Sequence, residues 1–356
     1  MHLLKLAIGH YFRNFAHIFM QPVQDIFPQL THPRKVVITT HQKPDPDALG
    51  SSLGLYHFLK GMGHTVTLIS PTNWPSWLNW MPGANLVVDY ELSQDTPKAI
   101  AALNEAEWLF CLDFNIFSRT KNLSPHLYNF RGTRVLIDHH QQPDTQNFEY
   151  GVSDTYKSST CEMVYDFIVE SGHAANINIP IAECLYAGVM ADTGSFRFNS
   201  TTASVHTMVA DLKQRGLNHS KIHENVYDNF LENRLRFIGH VLLNRMEVYY
   251  EYNTALIAIS RKDLLRFQIK TGDTEGLVNY PLSIQGIKLA ALVIDRDEER
   301  KWSFRSKGEF DTNTFARNYF NGGGHYNASG GRSSESLEQT VEKFKQTIAE
   351  NAEKLQ

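Results

Sequence analysis

The chain has 356 residues and a formal charge of -4 at pH 7, too long for one ordinary core and too acidic overall to gather long nucleic acid through a global basic field. Any anionic ligand therefore has to be held locally. Cys111, Cys161 and Cys184 stand in unrelated contexts without CxxC spacing, which excludes a disulfide framework and a zinc ribbon and suits reduced core thiols in a cytoplasmic protein.

Residues 1–32 read as a leading helical segment. His10, Arg13, Asn14, His17, Gln21 and Asp25 interrupt it too often for a signal core or a membrane span, and its polar face is not basic enough for a membrane-surface helix. Val36-Val37-Ile38-Thr39 is a buried strand by its apolar run, and it delivers His41-Gln42-Lys43-Pro44-Asp45-Pro46-Asp47 into a loop. Ala48 to Lys60 follows with helical spacing and is ended by Gly61-Met62-Gly63; His64 to Ile69 resumes as a strand, completing a βαβ unit. Asn73 to Pro82, rich in Trp and Pro, reads as an irregular surface loop. Pro97 to Glu107 is a short helix with proline in its first turn, leading to the strand Trp108 to Leu112 and then Asp113. Ser124 to Phe130 leads to Val135-Leu136-Ile137, after which come Asp138-His139-His140.

From Ser158 the pattern is helical, through Val169 and again over Ile181 to Met190, ending near Asp192-Thr193-Gly194. Thr202 to Arg215 and Ile222 to Val248 read as two more helices, the second long and charged on one side as a linker would be. A β-rich segment begins near Tyr249. In its strand Lys301 to Lys307, alternation sends Trp302 and Phe304 to one face and Ser303 and Arg305 to the other. Asn321-Gly322-Gly323-Gly324-His325 follows, and a polar helix from Leu337 closes the chain. The fold class is α/β: an N-terminal parallel-sheet domain over 33–215, a helical linker over 216–248 and a smaller α/β domain over 249–356.

Four apolar segments thus end in a carboxylate or a carboxylate with imidazole, where open α/β sheets place their sites. Asp45 and Asp47 project from a loop stiffened by Pro44 and Pro46. With Asp113 and Asp192 they bring four negative charges together. At an effective dielectric near 20 each like-charged pair about 4 Å apart costs roughly 4 kcal/mol, so the cluster needs cations. Two divalent ions balance four carboxylates, and a pair of ions about 3.5–4 Å apart clamps a phosphoryl group and activates water. Oxygen-rich ligation with some imidazole suits two Mn²⁺, with Mg²⁺ as the alternative, better than zinc.

His41-x-x-x-Asp45-x-Asp47, Asp113, Asp138-His139-His140 and Asp192 resemble the four motifs of the DHH phosphoesterase superfamily. Gly322-Gly323-Gly324-His325-x-x-Ala328-x-Gly330 resembles the glycine-rich signature of its DHH-associated C-terminal domain. The resemblance spans about Val36 to Gly331, and Thr274 to Asn279 brings it nearest the oligoribonuclease and 3'-phosphoadenosine 5'-phosphate phosphatase branch. It implies that His41, Asp45 and Asp113 hold one Mn²⁺ and that Asp47, Asp113, His139 and Asp192 hold the other. His140 would contact the scissile phosphate or assist the leaving oxygen, and Asp138 would orient a histidine. Arg305, Gly322, Gly323, Gly324 and His325 would bind substrate, the glycines through backbone N–H groups, with the site opening across an interdomain cleft.

The expected substrates are short single-stranded RNA or small nucleotides, with no long duplex, no membrane and room for a homodimer. Within the superfamily the rivals are a dinucleotide phosphodiesterase and an inorganic pyro- or polyphosphatase. From another class, a non-hydrolysing nucleotide sensor would be marked by lost metal ligands, and every expected ligand type is present.

Overall fold

The computed structural model describes residues 20–270, 272–296 and 299–356. In the first unit, which ends at Asp228, seven strands pair in parallel. They are β1 (Gln21–Pro22), β2 (Lys35–Thr39), β3 (Thr65–Ser70), β4 (Val88–Asp89), β5 (Trp108–Leu112), β6 (Thr133–Asp138) and β7 (Tyr150–Ser153). Helices α1 (Pro46–Gly61), α2 (Thr96–Glu105), α3 (Ser124–Tyr128), α4 (Thr160–Glu170), α5 (Ile179–Asp192), α6 (Ala203–Gln214) and α7 (His219–Tyr227) complete it.

The central strands are apolar on both faces because both faces are covered. Val36, Ile38 and Phe110 join a core with Leu49 and Leu53 of α1, Phe167 of α4 and Leu185 of α5. Val37, Leu109 and Leu136 point the other way, to Leu103 of α2 and Leu127 of α3. Each such side chain contributes about 1.5–3 kcal/mol when fully buried. The strand order β1-β7-β6-β5-β2-β3-β4 puts the carboxyl ends of β6, β5 and β2 side by side, where the chain turns from building one side of the sheet to the other. Ligands bind open α/β sheets at such a reversal.

The second unit, Asn229–Gln356, contains α8 (Glu232–Asn244), β8 (Met246–Tyr249), β9 (Thr254–Ile259), α9 (Arg261–Arg266), β10 (Leu289–Arg296), β11 (Glu299–Ser306), α10 (Thr312–Tyr319), β12 (Gly323–Gly324), β13 (Ala328–Ser333) and α11 (Leu337–Glu350). Its mixed sheet runs β12-β13-β11-β10-β9-β8. The alternation expected in β11 holds: Trp302 and Phe304 are buried and stack at 5.4 Å, while Ser303 and Arg305 lie on the half-exposed face.

Three expectations differ from the structure. Most of the leading helix, residues 1–19, lies outside the described residues; from Gln21 the chain is instead a short strand and a 3-10 helix over Val23–Gln29, because Pro22 and Pro28 interrupt helical hydrogen bonding. The single linker helix over Ile222 to Val248 is two helices and the edge strand β8. Asp228 and Asn229 break it, being residues whose side chains compete for backbone groups. Arg234 then secures the start of α8, its guanidinium 3.4 Å from the Phe230 ring centroid and donating to the Asp273 and Glu275 carbonyls. The Trp-rich segment is not a loose loop: it forms a 3-10 turn at Ser76–Leu78, with Leu78 buried and Trp74, Trp77 and Trp80 packed on the core.

Candidate metal centre

The loop after β2 is set by its own prolines and carboxylates. Asp45 caps α1, one oxygen accepting from the Asp47 and Ala48 N–H groups at 3.0 Å each, and Pro46 begins the helix without needing that hydrogen bond. The other Asp45 oxygen faces His41 Nε2 at 3.9 Å. His41 Nδ1 lies 2.8 Å from the Gln42 carbonyl. A carbonyl only accepts, so Nδ1 carries the hydrogen and Nε2 is the atom presented to the site.

Asp113 follows β5 with φ of 64°, a left-handed conformation that a short polar side chain tolerates and that is typical of functional sites. It turns its two oxygens to opposite sides: Oδ2 lies 3.3 Å from His41 Nε2 and Oδ1 3.4 Å from His139 Nε2. His139 Nε2 also lies 3.7 Å from Asp47 Oδ2 and 3.5 Å from Asp192 Oδ2, while its Nδ1 faces the Lys157 carbonyl at 3.3 Å. Asp192 reaches the cluster as the last residue of α5. All six expected ligands therefore meet at the carboxyl edge, in two groups that share Asp113: His41 with Asp45, and Asp47 with His139, the latter joined by Asp192.

These separations suit cations. Two ligands at about 2.1 Å from one ion and about 90–110° apart are themselves about 3.0–3.4 Å apart, close to what the ring nitrogens and carboxylates show. One ring nitrogen cannot satisfy three carboxylate oxygens by a single hydrogen bond; an ion between them can. Protonation in the metal-free protein makes the same point. Burial, and then the charge of Asp113, pushes Asp47 up to about 7; burial and the charges of Asp47 and Asp45 hold Asp192 well above its usual range. Burial would lower His139, but its hydrogen bond and charge interaction with Asp113 carry it up to about 10. Asp113, although buried, stays well below the usual carboxylate range because His139 and His41 donate to it. The cluster holds protons where cations fit, and binding an ion would displace them. The residues thus fit a pair of divalent ions, and the ion's identity is not fixed by them.

Asp138 and His140 play a different part. Asp138 ends β6 fully buried and accepts from His140 Nδ1 at 2.7 Å and from the His140 N–H at 3.2 Å. That is a hydrogen-bonded pair which orients the ring and leaves Nε2 as its outward atom. Burial, and next the nearby Arg119 charge, holds the His140 ring well below its usual proton affinity. Burial and the Asp113 charge push Asp138 up to about 6.

The supports of the cluster escaped the sequence reading. Thr160 and Cys161, at the start of α4, donate their N–H groups to Asp47 at 2.7 and 2.9 Å, and Thr160 Oγ1 donates to Asp113 Oδ1 at 3.0 Å. A helix N-terminus is a natural anion holder. The available signal was Ser159-x-x-Glu162, the pattern of a helix start, and Ser159 Oγ does accept from the Glu162 N–H. In the second unit the glycine run is a paired strand, with Gly322 so close to the Gly330 carbonyl that a Cβ would collide. Its N–H groups are engaged internally: Gly322 donates to the Ala316 carbonyl, Gly324 to Asn313 Oδ1 and His325 to the Ala328 carbonyl. Of the glycine amides expected to reach a phosphate, those of Gly322 and Gly324 are thus already hydrogen-bonded within the unit.

Comparison with known proteins places this geometry in context. Residues 35–189 match the DHH family, N-terminal domain, and residues 254–354 match the DHHA1 domain; Asp192 lies just beyond the first match. The bifunctional oligoribonuclease and PAP phosphatase NrnA of Bacillus subtilis is 29% identical over 83% of this chain and 88% of its own length. The protein of that name from Thermus thermophilus is 28% identical over 83% of each. A crystal structure of an exopolyphosphatase-related protein from Bacteroides fragilis superposes with a TM-score of 0.88 at 38% identity, covering 93% of this chain and 97% of the other.

Proposed function

The chain belongs to the DHH family, joining its N-terminal domain to a DHHA1 domain, and from that premise we propose a two-metal phosphoesterase that hydrolyses short oligoribonucleotides and 3'-phosphoadenosine 5'-phosphate. The observation that carries this reading is Asp113, whose two oxygens face His41 on one side and His139 on the other. His41, Asp45 and Asp113 would hold one ion, and Asp47, Asp113, His139 and Asp192 the other. When bound, a pair of divalent ions supplies charge neutralisation at a phosphoryl group and lowers the pKa of water there. No helix among the described residues is long and apolar enough to cross a membrane.

The chain's own residues supply the rest. Asp113 fixes the spacing of the two ligand groups, and the α4 N-terminus keeps Asp47 oriented. His140, its Nδ1 hydrogen directed to Asp138, offers Nε2 as an acceptor. Water oxygen forms the new bond to phosphorus as the bond to the leaving oxygen breaks; His140 Nε2 takes the water's proton and passes it to the leaving oxygen. Arg305 and His325 of the second unit are proposed to contact substrate phosphate.

A second reading, a pyro- or polyphosphatase, is favoured by the resemblance to the exopolyphosphatase-related protein. The test is Mn²⁺-dependent product release from an RNA of a few nucleotides, from 3'-phosphoadenosine 5'-phosphate and from pyrophosphate, with wild type and His139→Ala. Nucleotide cleavage lost in the variant supports the first reading. Turnover of pyrophosphate alone would replace it with the second, and silence on all three would leave a binding protein.

A further inference from the structure

Arg119 stands beside the cluster without being one of its ligands. It belongs to the 3-10 segment Phe117–Leu123 and is half-buried. Its backbone carbonyl accepts from the Gln42 N–H at 2.8 Å, tying this segment to the loop of His41. Its side chain does not pair with a carboxylate: Nη1 makes one long bond, 3.5 Å, to the Asp113 carbonyl, and among the described residues it has no ion pair. Other partly buried arginines of the same unit do have one. Arg34 pairs with Glu107, Arg134 with Glu149 and Arg215 with Asp211.

A guanidinium carries its charge at any physiological pH, and withdrawing it partly from water without an anion is unfavourable. Here its side-chain bond goes to the backbone of the residue shared by both ligand groups, and its charge is felt by the His41 and His140 rings and by the Asp138 carboxyl. The guanidinium thus brings its planar set of donors to the edge of the cluster without joining a carboxylate in an ion pair. Planar forked donors of this kind match the oxygens of a phosphoryl group.

We propose that the Arg119 guanidinium donates to the non-bridging oxygens of the phosphoryl group undergoing transfer at the Asp113 centre, stabilising the charge that builds there. The inference rests on the phosphoesterase reading and assigns the chain a substrate-contacting residue on the DHH side of the site. It also explains why this arginine is anchored through a main-chain carbonyl: pairing with Asp113's carboxylate would remove an oxygen from ion binding.

The test compares wild type, Arg119→Gln and Arg119→Lys, all loaded with Mn²⁺, in three measurements: kcat/KM on a short RNA, inorganic phosphate binding by calorimetry, and the Mn²⁺-induced rise in Tm. Arg119→Gln should lower kcat/KM by about 10²–10³, the loss typical for one charge-stabilising donor, and weaken phosphate binding, while the Mn²⁺-induced rise stays as in wild type. Arg119→Lys should fall between, keeping charge without the fork, and guanidinium ion added to Arg119→Ala should restore part of the rate. The backbone tie to Gln42 is retained in every variant. Unchanged phosphate affinity in Arg119→Gln overturns the proposal, as does a rate loss that comes with a lost Mn²⁺ response. A wild type inactive on RNA, yet binding phosphate more tightly than Arg119→Gln, would discard the RNA reading and keep Arg119's role.

Discussion

Asp47 lies directly against Gly188 of α5: a Cβ at position 188 would sit 2.9 Å from both the Asp47 Cα and Oδ1, and would collide with Cys161 Sγ. The carboxylate is thus clamped between the α4 N-terminus, which donates to it, and a helix that must be bare at that point. Gly188→Ala is expected to push Asp47 away from His139, lowering Mn²⁺ affinity by about 10–100-fold and stability by about 1–3 kcal/mol. Mn²⁺ titration together with a denaturant midpoint checks this; wild-type affinity in the variant would show that Asp47 needs no such clamp.

Thr160 separates the side-chain from the main-chain support. In Thr160→Val the N–H to Asp47 remains and only the hydroxyl to Asp113 is lost. Stability should drop by about 0.5–1.5 kcal/mol, and Mn²⁺ affinity by about tenfold or more. Equal affinity in calorimetric titrations of the two proteins would remove Thr160 from the centre.

Ion binding should depend on pH. Burial and the Asp113 charge put Asp47 at about 7, and Asp113's hydrogen bond outweighs burial to put His139 at about 10. Both values are raised above the unfolded ones, so each group stabilises the metal-free fold at low pH and loses that contribution as pH rises through its folded value. Ions displace these protons, so apparent affinity should fall about tenfold per pH unit below 7 for each proton displaced. At a hundredfold excess over Kd, Mn²⁺ adds about 2.7 kcal/mol, and thermal melts should show a larger rise at about pH 8 than at about pH 6. A pH-independent rise would contradict proton displacement.

The second unit has its own acid-sensitive point at Asp263. Burial alone would raise this carboxyl, but Arg245 donates twice at 2.9 Å, Ser260 caps onto it and His240 Nε2 lies at 3.1 Å, so it is held well below the usual range. Its folded value is depressed, so its stabilisation is present above the unfolded carboxyl value of about 3.9 and fades as pH falls below it. Asp263→Asn should cost about 1.5–3 kcal/mol near neutrality and flatten the acid limb of the stability curve. An acid limb identical to wild type would assign that sensitivity elsewhere.

The sequence by itself determined the candidate ligands. His41, Asp45, Asp47, Asp113, His139 and Asp192 were legible because each follows an apolar strand or ends an apolar helix, and such periodicity is a local property that survives without coordinates. The β11 faces were legible for the same reason. Tertiary structure supplied the geometry: β6, β5 and β2 lie together only through strand pairing, and that pairing sets Asp113 between His41 and His139, the shared position that the family resemblance implies. It also decided what supports them, since Asp47 and the Thr160 amide are 113 residues apart in the chain. The pairing of the glycine run, which sequence read as open amides, and the break of the linker helix at Asp228 arise between near neighbours in the chain. Long-range packing, by contrast, left Gly188 no room for a side chain beside Asp47 and Cys161. That feature depends on contacts between distant segments, which no local pattern of residues encodes.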